Sequence, residues 1–312
     1  MTFVPDFYSL PPVLDGILTA REYNIMVYHR ASATLERDRR RKIPGALAAH
    51  VRVYSDNMND AVCRNCLADP YTGDRLNWGL ARQWNDKDEK DQGAGFSRKF
   101  ALMPTFSHVD LYGDTVNFEV CSWMITTCKS GLTGAGFVDL CNRVIAFRDN
   151  RPPAAAAADG RGAGGAKGIY FPPDWLLATI TAGQYKKWIL KRAKELHSHD
   201  RDVGRPYALV LKVSDYCKLL DDAVHNGGRF DPFTGDELQW RLIGQWDVTH
   251  TVDPDGSYYR KFALAPAVDH VDPEAPELKF EICSNQVNLC KSYLSPDDFV
   301  ALCRRIAAYR KA

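Results

Sequence analysis

Four residues near the C-terminus form the chain's most chemically suggestive pattern. Asp269 and His270 are adjacent, and Asn288 and Lys291 follow at short range. An imidazole with an unperturbed pKa of ~6.5 can move a proton near neutral pH. Carboxylate and carboxamide oxygens are hard donors of the kind that hold Mg²⁺ or Mn²⁺. Phosphodiester hydrolysis needs an activated water, a group that carries charge at the phosphate, and stabilisation of the leaving oxygen. Each residue taken alone also has an ordinary role. Asp-His before a turn is commonly a hydrogen-bonded pair, and Asn near a helix start is commonly a cap.

The elements that must position these residues are written twice. FSRKFALMPTFSHVD (96–110) aligns with YYRKFALAPAVDHVD (258–272). The offset of 162 residues between His108 and His270 also pairs DPYTGD (69–74) with DPFTGD (231–236), and FEVCSWMITTCKS (118–130) with FEICSNQVNLCKS (280–292). Trp78 and Trp84 fall on Trp240 and Trp246. One ungapped register over so much chain identifies a duplication. The repeats span 1–150 and 169–312, and the Ala/Gly/Pro-rich stretch 151–168 reads as a linker.

Within each repeat the pattern predicts helices over 19–41 and 181–201, then over 46–62 and 207–224. The DPYTGD and DPFTGD segments read as turns, as does DPDGS (253–257). KFALAP (261–266) reads as a strand ending at its proline, with DHVD directly after it. KFEIC (279–283) alternates as a second strand. SPDDFVALCRRIAAYR opens a last helix with a Ser cap, Pro at the first position and acids in the first turn. The fold class expected is α+β, with extra N-terminal helices before a strand–loop–strand–helix unit in each repeat.

That order, with Asp-His closing the first strand and Asn shortly before Lys in the helix, resembles the HNH endonucleases of the ββα-metal (His-Me finger) superfamily. The resemblance covers about 257–295 and, more weakly, 95–133. It implies two tandem pseudo-symmetric ββα-metal domains. It implies His270 as general base, Asp269 and Asn288 as ligands of one Mg²⁺ or Mn²⁺, and Lys291 steadying the phosphate, with 5′-phosphate and 3′-hydroxyl products. Asp272, Glu281 and Asn285 are expected around this set. The family's middle Asn, which orients the histidine, has no clear counterpart; Asn285 is a candidate, but Trp123 holds that place in the first repeat.

The first repeat keeps His108 and Lys129 but has Ser107 for Asp269 and Thr126 for Asn288. It is expected not to cut, serving instead to bind DNA or to support the second repeat. Cys63-x-x-Cys66 with Cys121 and Cys128 raises structural Zn²⁺, against buried core thiols, which the spacing and the second repeat favour. The tryptophans read as core, with base stacking as the other option. Arg39, Arg40, Arg41, Lys187, Lys191 and Arg192 lie on basic helices suited to phosphate, although charged helix faces are usually only solvated.

The 312 residues suffice for two domains, and 45% hydrophobic with 25% charged residues excludes disordered and membrane classes. A net charge of +1 does not select a partner. No basic segment followed by an apolar core opens the chain, and an odd nine cysteines suit reduced thiols in a cytoplasm. The resemblance implies a metal-dependent nuclease acting on double-stranded DNA, cutting in the C-terminal repeat, with dimerisation needed for both strands. Two rivals remain: a non-cleaving nucleic-acid-binding protein on a decayed nuclease scaffold, and a scaffold protein with no nucleic-acid role.

Overall fold

Thr19 and Thr181 open the two long helices by the same device. In α1 (Ala20–Arg40) the Glu22 N–H donates to Thr19 Oγ1 at 3.2 Å and the Thr19 N–H donates to Glu22 Oε2 at 2.7 Å; in α5 (Ala182–Asp202) Gln184 takes the glutamate's part. Tyr23, Val27, Ala31 and Leu35 recur at helical spacing and are buried, as are Tyr185, Trp188, Ile189 and Ala193. The computed structural model describes residues 7–83, 93–113, 115–150, 170–245, 253, 255–272 and 275–310. The linker, Trp84 and Trp246 lie outside them.

The second helix expected in each repeat is broken. A short turn, Pro44–Leu47 or Pro206–Leu209, precedes α2 (Val51–Arg64) or α6 (Val213–Gly227). Each restarts at its own cap: His50 Nδ1 accepts the Arg52 N–H, and Asp215 accepts the Lys212 N–H at 2.7 Å. The strands are β1 (Pro104–His108) with β2 (Phe118–Ser122), and β3 (Pro266–His270) with β4 (Phe280–Ser284), giving two antiparallel two-stranded sheets in a mixed α+β protein. The expected 261–266 strand is thus displaced. Pro266 begins the strand, since a proline at that end donates nothing to the ladder, and Ser257–Lys261 is helical.

Ser122 and Ser284 cap the short helices α3 (Trp123–Lys129) and α7 (Asn285–Lys291), and α4 (Gly134–Asn150) and α8 (Pro296–Tyr309) follow. One face of each sheet packs on α2 or α6, and Val268, Phe280 and Ile282 join the core of the second repeat. The turn aspartates pin the hairpins to it. Buried Asp231 accepts the N–H groups of Phe233 at 2.8 Å, Thr234 at 2.9 Å and Ser284 at 2.6 Å, and Asp69 does the same in the first repeat.

One compact unit holds Met1–Leu140, Val248–Arg260 and Arg305–Ala312; the other holds Cys141–Asp247 and Lys261–Arg304. Each therefore takes the end of its closing helix from the opposite repeat. In the first, Arg305 pairs with Asp74 and the Tyr309 ring packs on Gly73, whose φ of 73° and lack of Cβ permit the approach. In the second, the matching residues Arg143 and Asp236 pair at 2.9 Å, and Phe147 packs on Gly235. Among the described residues no helix is long and apolar enough to cross a membrane.

Asp231→Ala removes the acceptor of three N–H groups, two of them buried, so unfolding free energy should fall by about 3 kcal/mol. A urea midpoint equal to wild type would show that the turn does not anchor the hairpin.

Candidate functional site

Alternation along a strand sends consecutive side chains to opposite faces, and this decides what Asp269 and His270 can do together. In the register of β3 and β4, His270 pairs with Phe280 and Asp269 with Glu281. His270 turns toward the long helices. Its Nε2 lies 3.1 Å from Asp200 Oδ2, and its ring packs against Phe280. Asp200, at the end of α5, is fully buried; it also accepts the Tyr216 hydroxyl at 2.8 Å and faces Arg205 at 2.9 Å. Burial would raise the Asp200 carboxyl, but His270, Tyr216 and Arg205 together hold it below its usual range. The first repeat builds the same knot: His108 Nε2 is 2.9 Å from Asp38 Oδ2, and Tyr54 donates to that oxygen at 2.9 Å.

Asp38, Tyr54, Asp200 and Tyr216 were not among the residues singled out from the sequence. The 162-residue offset does pair them, but an acid among arginines, as in ERDRR, looks like solvated charge.

The other face of the second hairpin meets α7. Lys291 Nζ sits 3.0 Å from Asp269 Oδ2 and donates to the Leu294 carbonyl at 2.6 Å, with Lys291 and Asp269 both buried. Burial raises Asp269, and Lys291 moderates the rise. Glu281, across the strand, is pushed up to about 7 by burial and by the Asp269 and Asp231 carboxylates, against Lys291 and Arg148. In the first repeat Glu119 accepts Lys129 Nζ at 2.6 Å and the Tyr71 hydroxyl at 2.6 Å, opposite Ser107, while Thr126 Oγ1 lies 3.1 Å from Cys121 Sγ. The second repeat thus gains a carboxylate at Asp269 and, with Phe233 in place of Tyr71, loses the phenol that satisfies this glutamate.

These positions do not fit one divalent ion. The carboxylate expected to ligate it already faces an ammonium, and the imidazole expected to activate water lies across the sheet. Asn288 is half-buried in α7, where its carbonyl accepts the Ser292 N–H. Asn285 is half-buried at the start of α7 and Asp272 is exposed beyond β3. Among the described residues no group of three or more His, Cys, Asp or Glu side chains is placed to hold a metal ion. Cys66, Cys121 and Cys128 are buried, Cys63 is exposed, and burial raises the Cys121 and Cys66 thiols.

Trp78 and Trp240 are core residues whose indoles donate to the Cys66 and Gly228 carbonyls, at 2.6 and 2.7 Å, so neither is open to a stacking base. Arg39 is likewise turned to structure, donating to the Ala46 and Ala49 carbonyls. Arg40 faces Glu36 at 3.9 Å, and Arg41 is exposed. Lys187 is exposed; Arg192 and Lys191 share Glu195 at 2.9 and 3.9 Å.

No protein-family model, no curated protein and no solved structure matches the chain.

Because Glu281 ionises at a higher pH folded than unfolded, the stability tied to its neutral form is present at low pH and lost as pH rises toward about 7. Glu281→Gln should therefore outlast wild type in urea at about pH 8 and gain nothing at about pH 4. Phe233→Tyr, which supplies the hydroxyl that Glu119 enjoys, should flatten the same dependence. Equal effects at both pH values would rule out a buried, ill-satisfied acid.

Proposed function

We propose that the chain binds nucleic acid, duplex DNA above all, without cleaving it, on a tandem pair of HNH-like hairpin–helix units. The observation that carries this reading is the division of labour across the second hairpin. Asp269 is neutralised by Lys291 on one face, and His270 is tied to Asp200 on the other. A hydrolytic centre needs its base and its charge-stabilising group at one phosphate. Here each faces a different charged partner on opposite sides of the sheet, and the Asp–His–Tyr knot recurs in the first repeat, which lacks the carboxylate. That recurrence favours a role in folding. Nine cysteines, none in a disulfide, suit a reducing compartment.

A second reading, the metal-dependent nuclease, has one specific observation in its favour. The contact of Asp200 with His270 holds the imidazole through one nitrogen, as the family's middle Asn would, and leaves Nδ1 to take a proton. The strand–strand–helix order around Asp269, His270 and Asn288 agrees with it.

Supercoiled plasmid with Mg²⁺ or Mn²⁺ separates the two. Retarded migration that fades with added salt, with no nicked or linear product, is the expected result for wild type and for His270→Ala. Metal-dependent nicking abolished by His270→Ala and by EDTA but kept by His108→Ala would replace this proposal with the nuclease.

A further inference from the structure

The two long helices share a fold and a capping box but not their outer surface. On α5, Gly183, Lys186, Lys187, Leu190, Lys191 and Lys194 line an open groove of 530 Å³. Lys186, Lys187, Lys191 and Lys194 are all exposed, and Arg192 adjoins them. Glu195 pairs with Lys191 and Arg192. At the matching positions of α1 stand Ile25, His29 and Ser32, and Asn24, which is buried and accepts the Phe7 and Tyr8 N–H groups. Since α1 forms the same helix against the same kind of core without them, the fold does not require these lysines.

Helix electrostatics do not account for them either. Arg39, Arg40 and Arg41 lie at the C-terminal end of α1, where the helix dipole favours cations, and Arg39 is spent on carbonyls. Lys186 and Lys187 lie in the N-terminal half of α5, where the dipole offers cations no such help.

We infer that this lysine face of α5 is where the C-terminal repeat receives the phosphate backbone of a nucleic acid; the inference rests on the nucleic-acid reading above. Lys186 to Lys194 spans about 12 Å of helix axis, matching about three to four nucleotides of one strand at ~3.4 Å each. Ammonium groups at this spacing neutralise phosphates by charge and read no sequence. A membrane surface fits less well, because an interfacial helix must offer an apolar face to lipid. The apolar face of α5 is already committed: Tyr185, Trp188, Ile189 and Ala193 are in the core.

The test measures binding of the full chain to a short fluorescent DNA duplex across a salt series. Removing two phosphate contacts should lower the slope of log affinity against log salt by about 2. That is the result expected for Lys187→Gln/Lys191→Gln and for Lys186→Gln/Lys194→Gln, with Arg40→Gln/Arg41→Gln unchanged. Circular dichroism and the urea midpoint confirm folding, as the uncharged residues of α1 lead one to expect. If wild type binds and both lysine pairs leave affinity and slope unchanged, the face is not the contact and the inference fails alone. Absence of duplex binding by wild type at low salt removes the nucleic-acid reading with it. Tighter binding to phosphatidylserine vesicles than to duplex, lost in the same lysine variants, reassigns the face to a membrane and overturns the inference.

Discussion

A carboxylate withdrawn from water on which three elements converge is the constraint the rest of each repeat obeys. Burying an unpaired carboxylate costs several kcal/mol, so Asp38 and Asp200 hold their places only because their partners meet there. Asp200 ends α5, Tyr216 reaches it from α6 and His270 from the end of β3. The knot fixes the depth at which the hairpin docks and the face its odd and even residues present. Arg205 joins it in the second repeat, where the first has buried Ile43. The same geometry is therefore held with and without a guanidinium, through the histidine and the phenol that both repeats retain.

Across the hairpin the repeats have parted. Lys129 and Glu119 neutralise one another, with Tyr71 completing the glutamate's hydrogen bonds. Two substitutions alter this in the second repeat, adding a carboxylate and deleting a phenol while leaving a single lysine among the acids. One buried ammonium facing two carboxyls keeps only one of them ionised at little cost, and burial raises both Asp269 and Glu281, the latter to about 7. Local dissatisfaction of this sort is a departure from an otherwise consistent fold, and its confinement to one repeat separates it from the requirements of folding.

Much of this was legible in residues. The capping threonines, the Asp-Pro/Thr-Gly turns, the strand beginning beside Lys279 and the Ser-Pro helix start all declare themselves through local chemistry. The 261–266 strand did not, because an apolar run beside a proline permits strand on either side of it, and the ladder forms where the proline's missing N–H does no harm. The break between 47 and 51 was hidden because His50 is an unusual cap. Most instructive is Asp269-His270. Adjacent residues on a paired strand must diverge, so their separation followed from the strand assignment itself. Their true partners, Asp200 and Lys291, lie 70 and 22 positions away and are set by packing. Nor does any local signal announce that Arg143 and Arg305 grip the turn of the opposite repeat.

That exchange bears on how the molecule comes apart. Each half of the polypeptide keeps its main hydrophobic cluster to itself but lends a helix end to the other's unit, since α4 leaves Arg143 and Phe147 with one unit and α8 leaves Arg305 and Tyr309 with the other. Scission within 151–168 would part each main cluster from the helix end that its unit takes from the other repeat. Each fragment would carry the strap that grips the other's turn, so reassociation of the fragments is the route by which Asp74 and Asp236 regain their arginines.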